Sequence, residues 1–236
     1  MINHKMNFLK NGWSIIKSKD PKLIKQLFEI FKNQIKKNTD LNKDIKNKIK
    51  DIKSTRTMTN KLEDNTLNSI RKIYLENFSK KIVNIFSHEL KPIFGKKLLI
   101  QRYPQIQIHV GFKHSTKTFP HCEMMAAHSP YTYNIWMPFH DIIDNSGIFL
   151  IDDVTSVKLC DKEIKKNVKD REKLVSKNVF FPKIKLGEAL IFNPFVTHGS
   201  VYHKNIYSRL SLDFRVQSFN KPLFQRYNDF FITTSL

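Results

Sequence analysis

Cysteine is nearly missing. Cys122 and Cys160 are the only two, which excludes a disulfide framework and a paired-cysteine zinc site, and makes a reducing, cytoplasmic setting the expectation. Long apolar runs are missing as well. No stretch approaches the roughly 18 residues needed to span a bilayer. The opening "MINHKMNFLKNGWSIIKSKD" lacks the continuous apolar centre of a signal peptide. A soluble protein with no membrane span is therefore expected. Glycine is sparse, and no glycine-rich phosphate loop, zinc finger or RNP motif occurs. Acidic residues are short too: 21 against 41 basic ones, for a formal charge of +20. The lysines are dispersed through residues 17–100 and 158–185 among Asn and Ile, which reads as a solvated basic surface rather than a nucleic-acid face. The same charge would attract an anionic small-molecule substrate.

What is present divides by periodicity. From Pro21 to about Pro92 the pattern is helical. "PKLIKQLFEIFKNQIKK" puts Leu23, Leu27, Ile30 and Phe31 on one face, with Asp20 as N-cap and Pro21 at the first helical position. A second helical run, from Leu67 to Phe86, is closed by Pro92 and Gly95. After Gly95 come short β runs, among them "KLLIQRY", "QIQIHVGF", "YTYNIWMPF", "GIFLID", "GEALIFNPF" and "SRLSLDFRV". The expected fold is α+β: a double-sheet jelly roll over residues 98–236, with the helical residues 1–97 integral to the domain and packed on one face. The charged interval 152–183 interrupts the β pattern and is read as a lid. The aromatic tail "FQRYNDFFITTSL" is expected to pack on the domain or on a second subunit, so a homodimer is one expectation.

Three of the nine histidines fall within "FPHCEMMAAHSPYTYNIWMPFHDIIDNSGIFLI", the least charged part of the chain. A metal site, a proton-transfer site and a packed core would each account for that. On a strand, His121 and Glu123 of "HCE" project together, offering one imidazole and one carboxylate. His198 stands at the exit of the apolar run "GEALIFNPFVTHGS", beside Gly199. Two His and one carboxylate make the facial set that holds Fe(II) with open positions. Eleven residues beyond His198, Arg209 and Ser211 share a strand face. A planar guanidinium with a hydroxyl beside it is suited to the distal carboxylate of 2-oxoglutarate.

In this order, H-x-D/E…H…R-x-S, the residues His121, Glu123, His198, Arg209 and Ser211 resemble the Fe(II)/2-oxoglutarate-dependent oxygenases, in particular the phytanoyl-CoA-hydroxylase-like superfamily. Glu stands where Asp is commoner, and a carboxylate there argues against the halogenase variant. "SPYTYNIWMP" is similar to the small bacterial branch found with carbohydrate gene clusters, of the streptomycin-biosynthesis type. The resemblance covers roughly residues 98–218. It implies a double-stranded β-helix (jelly-roll, cupin-like) core and the cofactors Fe(II), 2-oxoglutarate and O2. The implied activity is a dioxygenase that hydroxylates or oxidises a small molecule, a sugar or sugar-derived intermediate. It also nominates Trp136 and Asn134 for the 2-oxoglutarate pocket. Lower-grade substrate candidates are His114, His128, Lys113 and Arg215. Two alternatives stay open: a cupin-type metal-dependent sugar isomerase or epimerase, and a basic nucleic-acid-binding module.

Overall fold

A computed structural model describes residues 11–38, 75–109, 118–126, 128–143, 145–159, 168–200, 209–224 and 230–236. Its organising element is β9, Arg209–Ser218, where polar and apolar residues alternate from Arg209 through Gln217. Successive side chains on a strand point to opposite faces. Leu212, Phe214 and Val216 therefore lie on one side, and Ser211, Asp213, Arg215 and Gln217 on the other. Both sets are buried. The polar side does not face water; it faces the interior of the protein.

Around β9 the chain assembles a mixed α/β structure with two antiparallel sheets. The larger has seven strands in the order β1 (Trp13–Lys17), β7 (Glu188–Phe192), β4 (Tyr133–Pro138), β9, β2 (Lys97–Gln101) and β10 (Phe231–Ser235), with β3 (Gln105–His109) also paired to β9. β2 and β3 share one edge of β9. Leu98–Ile100 pairs with its C-terminal half, and Gln105–His109 with its N-terminal half. The smaller sheet runs β6 (Val179–Phe180), β5 (Ile148–Ile151), β8 (His198–Ser200). Trp136, Leu190 and Phe192 of the large sheet pack against Ile148 and Leu150 of the small one, closing the space between them.

The outer faces are covered by helices. α1 (Pro21–Asn38) starts as its sequence dictates: Asp20 Oδ1 accepts from the Lys22 amide at 2.8 Å. Ile24 and Leu27 of α1, and Ile82, Val83 and Leu90 of α2 (Leu75–Ile85) and α3 (Ser87–Phe94), bury against Ile135, Ile191 and Phe214. The second helical run is thus two helices, broken at Phe86. Gly95, at φ 89° with its amide on the Lys91 carbonyl, stops the pair, while Pro92 sits inside the last turn. Residues 67–74 of that run lie outside the described residues.

Two features differ from expectation. The first third is not wholly helical, because "WSIIK" forms β1 against β7. Five residues between a glycine and a helix cap are too short a signal to read as a strand. The N-terminal helices do lie together on the large sheet, and the second difference is that the charged interval adds helices of its own. In the interval read as an inserted loop, α4 (Asp153–Leu159) and α5 (Val168–Asn178) bury Leu159 and Val175 against Phe149 and Ile151, on the outside of the small sheet. The tail forms β10 along β2. Among the described residues, no helix is long and apolar enough to cross a membrane.

Phe214 has no solvent exposure and sits at the centre of the sheet–helix core. Phe214→Ala should cost about 3–5 kcal/mol, read as a lowered denaturant midpoint with an unchanged m-value.

Candidate metal centre

His121, Glu123 and His198 come together: a ligand atom from each lies within 4.8 Å of the other two. The route differs from that expected. His121 does not share a regular strand with Glu123. It pairs with His198 through an isolated antiparallel bridge, its amide donating to the His198 carbonyl at 3.0 Å and its carbonyl accepting at 2.8 Å. Glu123 opens a 3₁₀ turn, Glu123–Ala126, so the turn rather than strand alternation swings its carboxylate back. Cys122 between them is buried.

Both imidazoles are oriented alike. His121 Nδ1 is 2.8 Å from the Phe119 carbonyl, and His198 Nδ1 is 3.1 Å from the Val196 carbonyl. A carbonyl only accepts, so each Nδ1 carries the proton and each Nε2 keeps a lone pair for a ligand. Burial, with His121 nearby, holds His198 down at about 4, so it is neutral at physiological pH. The rings lie 4.3 Å apart, centroid to centroid.

Glu123 is only 2% exposed. Burial alone would raise its carboxyl, but the adjacent Arg215 charge and hydrogen bonds outweigh it and hold the group at about 2. Arg215 Nε and Nη2 donate to Oε2 at 2.9 and 2.7 Å, while Asn134 Nδ2 donates to Oε1 at 2.7 Å. His198 Nε2 stands 3.7 Å from Oε1, and His128 Nε2 is 3.3 Å from Oε2. Arg215, expected to meet a substrate anion, instead meets the chain's own carboxylate. Its remaining Nη1 donates to Gln101 Oε1 at 3.0 Å. His128 and Asn134 likewise serve Glu123. His114 and Lys113 lie outside the described residues.

Arg209 presents the opposite situation. It is 1% exposed, and its Nη1 donates to the Ser146 carbonyl, but Nε and Nη2 have no partner. Burial lowers the guanidinium to about 9, which leaves it charged at neutral pH. Ser211 Oγ, two residues along the same face, is also unpaired. Trp136 forms the wall here: its ring lies 5.4 Å from the Arg209 guanidinium carbon, and its Nε1 donates to Gln107 Oε1 at 3.3 Å. Buried polar groups normally find partners. An unpaired cationic fork beside an unpaired hydroxyl is the chemistry of a carboxylate site.

Sequence reasoning missed Asp213 and Gln101. Asp213 lies on the same inner face, with Oδ1 unpaired. Burial pushes its carboxyl up to about 7, against the pull of Arg215. The polar half of "SRLSLDFRVQ" carried the signal, since every polar residue of an interior-facing strand is a site candidate. Gly199, beside His198, serves packing against Phe149 of the small sheet. A Cβ there would lie 2.7 Å from Phe149 Cζ and from the Thr118 carbonyl oxygen.

No protein-family model matches the chain, and no curated protein sequence matches it. Solved structures do. EctD from S. alaskensis with bound Fe superposes with a TM-score of 0.59 at 12% identity, covering 95% of this chain and 79% of that one. The non-heme alpha ketoglutarate dependent carbocyclase SnoK from nogalamycin biosynthesis gives 0.59 at 10% identity, covering 92% and 84%. The Ni complex of the non-heme monooxygenase ThoJ gives 0.56 at 9%, covering 92% and 77%. The chain shares the fold of these non-haem enzymes.

Two outcomes follow from the geometry. Gly199→Ala should destabilise the protein by about 1–3 kcal/mol, because the Thr118 backbone cannot yield; chemical denaturation measures it. For Asp213, the folded-state value lies above the ordinary one, so its stabilising contribution is complete below about pH 4 and lost as pH rises through about 7. Asp213→Asn should therefore be more stable than wild type at pH 8, by a margin that shrinks towards pH 4. A pH-independent difference in denaturant midpoint would contradict this.

Proposed function

We propose that the chain is a non-haem Fe(II)- and 2-oxoglutarate-dependent oxygenase acting on a small molecule, with its two sheets forming a double-stranded β-helix. In this reading His121, Glu123 and His198 hold the iron, and Arg209 with Ser211 hold the distal carboxylate of 2-oxoglutarate. The observation that carries it is the pair of unpaired donors on buried Arg209, in a chain whose His121, Glu123 and His198 already form a cluster able to hold a metal. A metal site alone would not require a buried guanidinium without a counter-charge. A dicarboxylate bridging the two regions supplies one. Similarity in fold to EctD with 2-oxoglutarate and 5-hydroxyectoine bound supports the assignment.

Bound iron and 2-oxoglutarate together supply oxidative decarboxylation coupled to oxidation of a substrate C–H bond. The chain's residues provide the setting. The Phe119 and Val196 carbonyls fix the tautomer of each neutral imidazole, so that Nε2 is the nitrogen offered to a metal. The Trp136 wall and the apolar cluster around Ile148 and Leu150 exclude water from the guanidinium, which strengthens its hold on an anion. A substrate drawn from sugars or sugar-derived intermediates fits the same reading, through the "SPYTYNIWMP" resemblance.

Anaerobic titration with Fe(II) and then 2-oxoglutarate tests the reading. The expected result is a weak visible charge-transfer band, and, on admitting O2, succinate. His121→Ala should lose metal and band together. Arg209→Met should keep the metal but weaken 2-oxoglutarate binding by about a hundredfold, the order of 2–4 kcal/mol for a charge-assisted bidentate pair. Metal binding with no response to 2-oxoglutarate would favour the metal-dependent isomerase. Absence of metal binding by folded protein would refute both.

A further inference from the structure

Resting on that reading, we infer that Arg215 is a built-in counter-charge that restricts Glu123 to a single ligand oxygen and holds the site's affinity for divalent metal low. Three nitrogens converge on Oε2: Nε and Nη2 of Arg215 at 2.9 and 2.7 Å, and Nε2 of His128 at 3.3 Å. Oε1 faces the His198 Nε2 at 3.7 Å, on the side where the imidazole lone pairs meet. Oε2 therefore has no lone pair left for a metal, and Oε1 is the donor. Both imidazoles are neutral ligands when bound to metal. The carboxylate's single negative charge is already matched by the guanidinium, so Glu123 and Arg215 together offer a divalent ion no net negative charge. The guanidinium cannot swing away, because Nη1 and the Arg215 amide both donate to Gln101 Oε1, at 3.0 and 3.2 Å, and Gln101 Nε2 is anchored on the Tyr103 carbonyl at 2.7 Å. Arg215 is a positioning residue: it acts on the metal through Glu123.

The two effects of Arg215 separate by experiment. If it only orients Glu123, removing it weakens metal binding. If its charge dominates, removing it tightens metal binding. Mn(II) binding to the whole chain without 2-oxoglutarate, followed by the electron paramagnetic resonance signal of free Mn(II), requires no turnover. Arg215→Gln keeps an amide donor near Oε2 and removes the charge; Mn(II) should bind at least about tenfold more tightly. Arg215→Lys keeps the charge without the fork and should remain within about threefold of wild type. Gln101→Glu leaves Arg215 in place but divides its charge between two carboxylates, and should also tighten binding, which decides the matter should Arg215→Gln not fold. Equal or weaker Mn(II) affinity in whichever of the two charge-altering variants folds overturns the inference while leaving the oxygenase reading intact. Absence of Mn(II) binding in wild type and variants alike overturns the oxygenase reading itself.

Discussion

A carboxylate removed from water must be answered inside the protein, and the architecture around Glu123 depends on that requirement. Leaving such a charge unpaired costs several kcal/mol. The answer comes from three places in the chain: Arg215 on β9, Asn134 on β4, and Gln101 on β2 steadying Arg215. Each is delivered by strand register. Asn134 and Arg215 are direct cross-strand partners, so β4 and β9 present their polar groups side by side. A slip of one residue in β9 would turn Arg215 to the helix side and Phe214 to the interior. The apolar outer face and the charged inner face therefore select the same register.

The inner face has two regions of different character. Near Glu123 the Arg215 nitrogens and the Asn134 amide nitrogen all have acceptors, while Asn134 Oδ1 and Asp213 Oδ1 have no partner. At the other end of the strand Nε and Nη2 of Arg209 have no acceptor and Ser211 Oγ has no partner. Folding alone gains nothing from the second region, since unpaired buried groups are costly. Protein chemistry tolerates such a deficit where a ligand completes it, as strain and frustration concentrate at functional sites.

The site was legible in the sequence further than the scaffold was. The H-x-E and His elements identify three residues that the fold does bring together, because the chemistry restricts the residue types. The reasoning about "HCE" was less faithful, since a 3₁₀ turn achieves what strand alternation was expected to do. The role of Arg215 was hidden for a physical reason. An arginine on an alternating strand reads the same whether its face is solvent, substrate or a buried acid, and only the cross-strand partner decides. β1 was lost for want of length, and α4 and α5 because a charged segment with few apolar residues resembles a loop. Among the described residues, Leu159 and Val175, with partly buried Leu174, are the apolar anchors of those helices.

The large sheet ends in β1 on one side and β10 on the other. Both outermost strands are only five residues long, and β10 offers Thr233, Thr234 and Ser235 to its surroundings in place of the aliphatic row of β2 that it shields. Open hydrogen-bonding rims invite neighbouring molecules to add strands. By placing short, partly hydroxylated ribbons there, the chain blunts self-association at the borders. The aliphatic row of β2 is kept one row in, paired to β9 on one side and to β10 on the other.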